Sequence, residues 1–267
     1  MRARPLRFDV AGTGDPIVLV PGGLTGWLSW IPHQERLATR HQTIRVQPIH
    51  NELGSAGKPG DPTYSRKTEQ ESLRLTLDQL GIERLHLAGW SAGGKTALDF
   101  AISAPERIRS LTLVEPAAYR ILEEVDEIDP ELERFFDYLH SLAGEIITED
   151  DLARFLSKAG FADDPAAARQ DPYWERAIPH RMSLSWLSEE LMGSDHSVAD
   201  LTRLETPVLV TKGTRTEPWE RRVVDLLGQN LPNARVADIE GTHAHHIESI
   251  DHFMDEFEAH LLTGSVT

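Results

Sequence analysis

Short apolar runs alternate with segments of helical period along most of the chain, which predicts a mainly parallel sheet covered by helices. "LRFDVAGTGDPIVLVPGG" reads as a hairpin whose second arm, Ile17 to Val20, enters a glycine-rich turn. "QTIRVQPI" is the next strand. "RKTEQESLRLTLDQLG" sets Leu73, Leu77 and Leu80 on one helical face and stops at Gly81. Strand "RLHLAGW", helix "GKTALDFAISA" and strand "SLTLVEP" follow.

From about Tyr119 to Asp200 the β pattern vanishes, and "ELERFFDYLHSL", "EDDLARFLSKAGF" and "MSLSWLSEELM" read as helical. Alternation resumes with strand "PVLVTKG", helix "WERRVVDLLGQNL" and strand "ARVADIEG". A last helix carries the stripe Ile250, Phe253, Met254, Phe257 and Leu261. A helical segment, 119–200, thus interrupts one α/β core made of 1–118 and 201–267.

One junction in this pattern carries chemistry. Gly89-Trp90-Ser91-Ala92-Gly93 fits G-x-S-x-G with a strand before it and a helix after it. A strand reversing directly into a helix leaves its central residue in an unfavourable conformation, and Gly89, Ala92, Gly93 and Gly94 supply the room. Such a turn projects the Ser91 hydroxyl and leaves the Ala92 amide without an intrahelical partner. An ordinary tight turn is the plainer alternative. Serine is a weak nucleophile at neutral pH, so catalysis by Ser91 requires a base and an orienting acid elsewhere.

"LVPGG", "GWSAGG", "LVEPA" and "GTHAHHIES" together resemble the α/β-hydrolase superfamily over essentially the whole chain. The resemblance implies a mostly parallel eight-stranded sheet flanked by helices, with a helical cap inserted after the sixth strand. It assigns the base to His243, past the last strand, with His245 as a lesser candidate and His246 as an accessory histidine. His243, His245 and His246 also raise zinc binding, but neither H-E-x-x-H nor a distant Cys/His set accompanies them, so no metal is expected.

The acid departs from the family pattern. Most relatives carry an aspartate three residues past the glycine of "PVLVTKG", where this chain has Thr216. Glu217 and Glu115 remain. Glu115 is preferred, because it ends its strand at the same carboxyl edge as Ser91, and a carboxylate closing an apolar run needs a partner. Glu217 sits among arginines that explain it by a solvated ion pair. At the oxyanion site the family usually has His-Gly. Here Pro21-Gly22 stands instead, and the resemblance gives the role to the Gly23 and Ala92 amides, which need no particular side chain.

All six tryptophans fall in predicted edge loops or in the cap segment, and Trp27 and Trp90 are expected to line the substrate pocket. Phe135, Phe136, Phe155, Phe161 and Tyr173 are read as the cap's own core.

Composition narrows the partners. The balance of 27 basic against 43 acidic side chains gives −16, which argues against nucleic acid or an anionic membrane surface. Residues 121–175 carry 16 of those acids against 4 basic groups, read as a solvated helical surface. Cysteine is absent, excluding disulfides and a thiolate nucleophile. The N-terminal stretch reads as no signal peptide, no apolar run is of membrane-spanning length, and a cytoplasmic location is expected. The resulting expectation is a cofactor-free serine hydrolase acting on a small to medium, largely apolar carboxylic ester. C–C bond hydrolysis, thioester hydrolysis, perhydrolysis or non-catalytic ligand binding would suit the same residues. Association into a homo-oligomer is left open.

Overall fold

The computed structural model of the chain describes residues 1–187 and 196–264. Its strands are β1 (Arg7–Ala11), β2 (Pro16–Val20), β3 (Gln42–Gln47), β4 (Leu85–Trp90), β5 (Ile108–Val114), β6 (Val208–Gly213) and β7 (Ala234–Ile239). They form one sheet in the order β1-β3-β2-β4-β5-β6-β7, parallel except for β1. The near-continuous burial of β2, β4, β5 and β6 is the signature of parallel strands covered on both faces.

Two sequence expectations change at the first edge. β1 and β2 are not a paired hairpin: β1 pairs antiparallel with β3, from Arg7 opposite Gln47 to Ala11 opposite Thr43. Both edges of β2 are taken by parallel neighbours, β3 and β4, so the connecting turn must carry the chain past β3. Gly12 allows that passage, since a Cβ there would lie 2.2 Å from the His41 carbonyl oxygen. The sheet has seven strands among the described residues, not eight. Residues ahead of β1 spend their amides on a helix instead of a ladder: Arg4 N–H donates to Ser72 Oγ (3.3 Å) and Leu6 N–H to Thr76 Oγ1 (2.8 Å). The helical interruption accordingly follows the fifth strand rather than the sixth.

Helix Ala92–Ser103 packs on β2, β4 and β5, and helix Ile250–Thr263 on β5 to β7 with Phe253, Met254, Phe257 and Leu261 buried. Between β5 and β6 the helices Pro130–Leu142, Glu149–Lys158 and Pro165–Ala168 begin at Asp129, Thr148 and Asp164, whose side chains accept the orphan amides of the first turn. Most carboxylates of 121–175 lie at the surface. The stretch expected as helix "MSLSWLSEELM" closes a tight 3-10 run, Ile178–Trp186; its residues 188–192 lie outside the described residues. What matters for chemistry is the carboxyl edge of the sheet. Segments leaving β2, β4, β5, β6 and β7 emerge there together, the usual place for a site in an open α/β sheet.

Candidate active site

Ser91 stands between β4 and helix Ala92–Ser103 with φ 54° and ψ −121°, a conformation that a non-glycine residue holds only when its surroundings impose it. The surroundings are specific. Ser91 N–H donates to the Val114 carbonyl (2.9 Å), and its own carbonyl accepts from Lys95 and Ala117 (3.0 Å each). The turn also requires close backbone approach: a Cβ on Gly89 would lie 2.4 Å from the Gly93 carbonyl oxygen, and one on Gly93 2.2 Å from that of Pro21. The elbow predicted from G-x-S-x-G is therefore present.

Glu115, the residue after β5, is also at positive φ (36°) and almost fully buried. Its Oε1 accepts from Gly213 N–H (2.6 Å) and Thr216 Oγ–H (2.7 Å), and its Oε2 from His243 Nδ1–H (2.6 Å). Thr216, at the position where relatives carry the acid, thus donates a hydrogen bond to the carboxylate that reaches the imidazole. Glu217 makes no such contact; it precedes the first turn of helix Pro218–Asn230, beside Gly160. Burial works to raise the Glu115 pKa, but the His243 hydrogen bond and charge, His245 and the Gly213 amide bring it below the usual carboxylate value.

A residue that sequence reasoning missed completes the cluster. Glu220, in the first turn of that helix, places Oε1 3.2 Å from His243 Nδ1 and accepts from Tyr119 O–H at 3.4 Å. Its only sequence signal is a carboxylate on the buried face of an amphipathic helix, easily taken for an ion-pair partner of its arginine neighbours. Burial raises the Glu220 pKa to about 7 against the pull of His243. On His243 burial acts downward, but the charges and hydrogen bonds of Glu220 and Glu115 override it and raise its pKa. Ligand-type atoms of Glu115, Glu220 and His243 lie within 4.8 Å of one another, yet the Nδ1–Oε2 contact is a direct hydrogen bond with no space for an ion between.

Ser91, Ala92, Gly23, Trp90, Glu220 and His243 face one small cavity, with a free volume of about 20 Å³. No hydrogen bond joins the Ser91 and His243 side chains among the described residues; the free forms of such pairs are commonly loose. An imidazole whose Nδ1–H is held by a carboxylate presents Nε2 as an acceptor for a hydroxyl proton. Trp27 is not at the cavity. It packs under the Arg7 guanidinium (5.5 Å), and its amide donates to Gln47. Trp90 does line it, as the last residue of β4 rather than in a loop, and its Nε1–H donates to the His243 carbonyl (2.9 Å). The remaining apolar wall comes largely from residues expected to be cap core: Phe135, Phe155, Phe161 and Tyr173. Helical periodicity marks such residues as buried without saying whether they are buried against protein or around a space.

The other two histidines of the segment do different work. His245 donates from Nδ1 to the Thr242 carbonyl (3.2 Å) and meets Thr211 Oγ1 at Nε2 (2.9 Å), and burial lowers its pKa. His246 lies among Trp90, Trp30 and Phe253, with ring centroids at 4.5, 4.9 and 5.9 Å, and stacks on His33 at 5.4 Å. Neither of its ring nitrogens has a hydrogen-bond partner among the described residues, and burial pushes its pKa well down.

Comparison with known proteins bears on the fold and the family. The family model described as alpha/beta hydrolase fold matches residues 15–250. A pimeloyl-acyl-carrier protein methyl ester esterase of Aeromonas hydrophila is 28% identical, over 91% of this chain and 96% of its own. A 2-hydroxy-6-oxo-2,4-heptadienoate hydrolase of Pseudomonas putida is 28% identical over 78% and 75%. The crystal structure of the carboxylesterase CesB (YbfK) from Bacillus subtilis superposes with a TM-score of 0.73 at 18% identity, over 97% of this chain and 89% of that one, a likeness of fold.

Proposed function

The chain belongs to the alpha/beta hydrolase fold family, and on that footing we propose that it cleaves a small to medium, largely apolar carboxylic ester through an acyl-enzyme on Ser91. Residues 119–200 serve in this reading as the cap over 1–118 and 201–267. His243 Nε2 takes the hydroxyl proton as Ser91 Oγ bonds to the ester carbonyl carbon. The carbonyl electron pair moves onto oxygen, where the Gly23 and Ala92 amides receive it. The intermediate collapses as the C–O bond to the alcohol breaks and His243 gives that alcohol its proton. Water then repeats the sequence, releasing the acid and restoring Ser91. Glu115 holds Nδ1–H and offsets the imidazolium charge.

One observation carries this reading: a serine held at φ 54° faces the same cavity as an imidazole whose Nδ1–H is bound at 2.6 Å by a buried carboxylate. A pure ligand-binding protein has no use for that strain. The apolar wall favours an apolar acyl group. The likeness to the P. putida hydrolase supports a second reading, C–C bond cleavage by the same residues. A panel of short-chain esters, thioesters, lactones and a 2-hydroxy-6-oxo-dienoate, run beside Ser91→Ala, tests both. Ester turnover highest in the panel and absent in the variant is the expected result. Dienoate turnover that exceeds it transfers the function to the second reading. Turnover that survives Ser91→Ala overturns both.

A further inference from the structure

Glu220 has no part in the mechanism above, yet it is one of the two carboxylates within hydrogen-bond reach of the imidazole. Its helix brings it in from the cavity side, whereas Glu115 comes from the sheet and does not line the cavity. The two carboxylates are unequally held. Glu115 accepts from Gly213, Thr216 and His243. Glu220 has one long bond from Tyr119 and a share of His243 Nδ1–H, while its Oε2 is buried without a partner among the described residues, on the side facing Gly160. Leaving a buried carboxylate oxygen unpaired is costly, and a lysine or arginine at this position would be the ordinary remedy. The groups facing Glu220 are instead His243, Glu115, Tyr119 and Glu217, with His245 beside Glu115 at 3.7 Å. The imidazole is thus the one basic group among them.

Resting on the serine-hydrolase reading, we infer that Glu220 is a positioning residue: a second carboxylate partner of His243 Nδ1–H that sets the pH at which the imidazole becomes free to act as base and stands in for Glu115 when that charge is removed. The charge of Glu220 adds to that of Glu115 in favouring imidazolium. The imidazole therefore sheds its proton at a higher pH than one carboxylate would give. Because Glu220 touches the cavity, a bound substrate can alter this hold directly.

The test is an NMR pH titration of the imidazole resonances that vanish in His243→Ala, measured in the wild type, Glu220→Gln, Glu115→Gln and the double variant. Glu220→Gln keeps the shape and the Tyr119 bond, and its His243 titration should fall by at least one pH unit, with the acidic limb of kcat/KM moving the same way. Glu115→Gln should keep its imidazole titrating above that of the double variant and retain at least tenfold more activity. This second comparison decides the matter if Glu220→Gln does not fold. An unmoved titration in Glu220→Gln, or Glu115→Gln behaving like the double variant, overturns the inference. Because the imidazole is read directly, a protein inert toward esters would sink the hydrolase reading and still leave this one decided.

Discussion

His243 and His246 stand three residues apart on one short segment, and both are almost wholly buried, at 3% and 0% exposure. Their pKa values nevertheless move in opposite directions. The front imidazole faces Glu115 and Glu220; the rear one faces Trp30, Trp90 and Phe253. Trp90 is the wall between them, with ring centroids 5.7 Å from His243 and 4.5 Å from His246. Burial is thus common to both and decides nothing. Two carboxylates turn one ring into a base that can accept and hold a proton, and their absence turns the other into an aromatic filler.

The sharpest way to break this comparison is to delete each ring. His243→Ala, like Ser91→Ala, should lower kcat on an activated ester by about 10⁴–10⁶-fold, since such groups act as a unit. His246→Ala should leave kcat within about tenfold and instead cost roughly 2–5 kcal/mol in urea unfolding, the usual price of a large-to-small core change. Equal losses of activity would erase the distinction.

The acids sharpen it next. Glu115→Gln should reduce kcat/KM by less than the roughly 10⁴-fold typical of a triad acid, because Glu220 remains. Glu217→Gln should change it less than about twofold, in keeping with a half-buried group that does not reach the imidazole.

A separate effect, on stability alone, concerns the rings that lack carboxylate partners. Burial lowers His33, His86 and His260 to about 4 in the folded protein, against 6.5 unfolded. Below 6.5 the unfolded chain binds protons that the folded one does not. Stability is therefore full above that value and should be lost as pH falls toward 4, by up to about 3 kcal/mol per ring. Urea midpoints flat between pH 7 and 4.5 would contradict it.

Much of this was legible in the residues. The elbow was, because only small residues fit around Ser91. So was the carboxylate that meets His243 Nδ1, because Thr216 cannot carry charge and Glu115 follows an apolar strand. Glu220 was not, since helical periodicity reports burial but not what a buried carboxylate faces 23 residues from the imidazole. The hairpin failed for a related reason. Adjacent strands suggest pairing, but β2 had parallel neighbours on both edges, and that competition is decided by distant parts of the chain. Of the pocket wall, Trp90 was legible and Trp27 was not, and Phe135, Phe155 and Phe161, read as packed among themselves, enclose the space.

The claim beneath all of this is that Ser91 is an activated nucleophile, and intact-mass spectrometry after exposure to a fluorophosphonate tests it most directly. One adduct per chain, mapped to Ser91 and absent from Ser91→Ala and His243→Ala, is the predicted result. No adduct on the wild type, or an adduct that persists in Ser91→Ala, would contradict it.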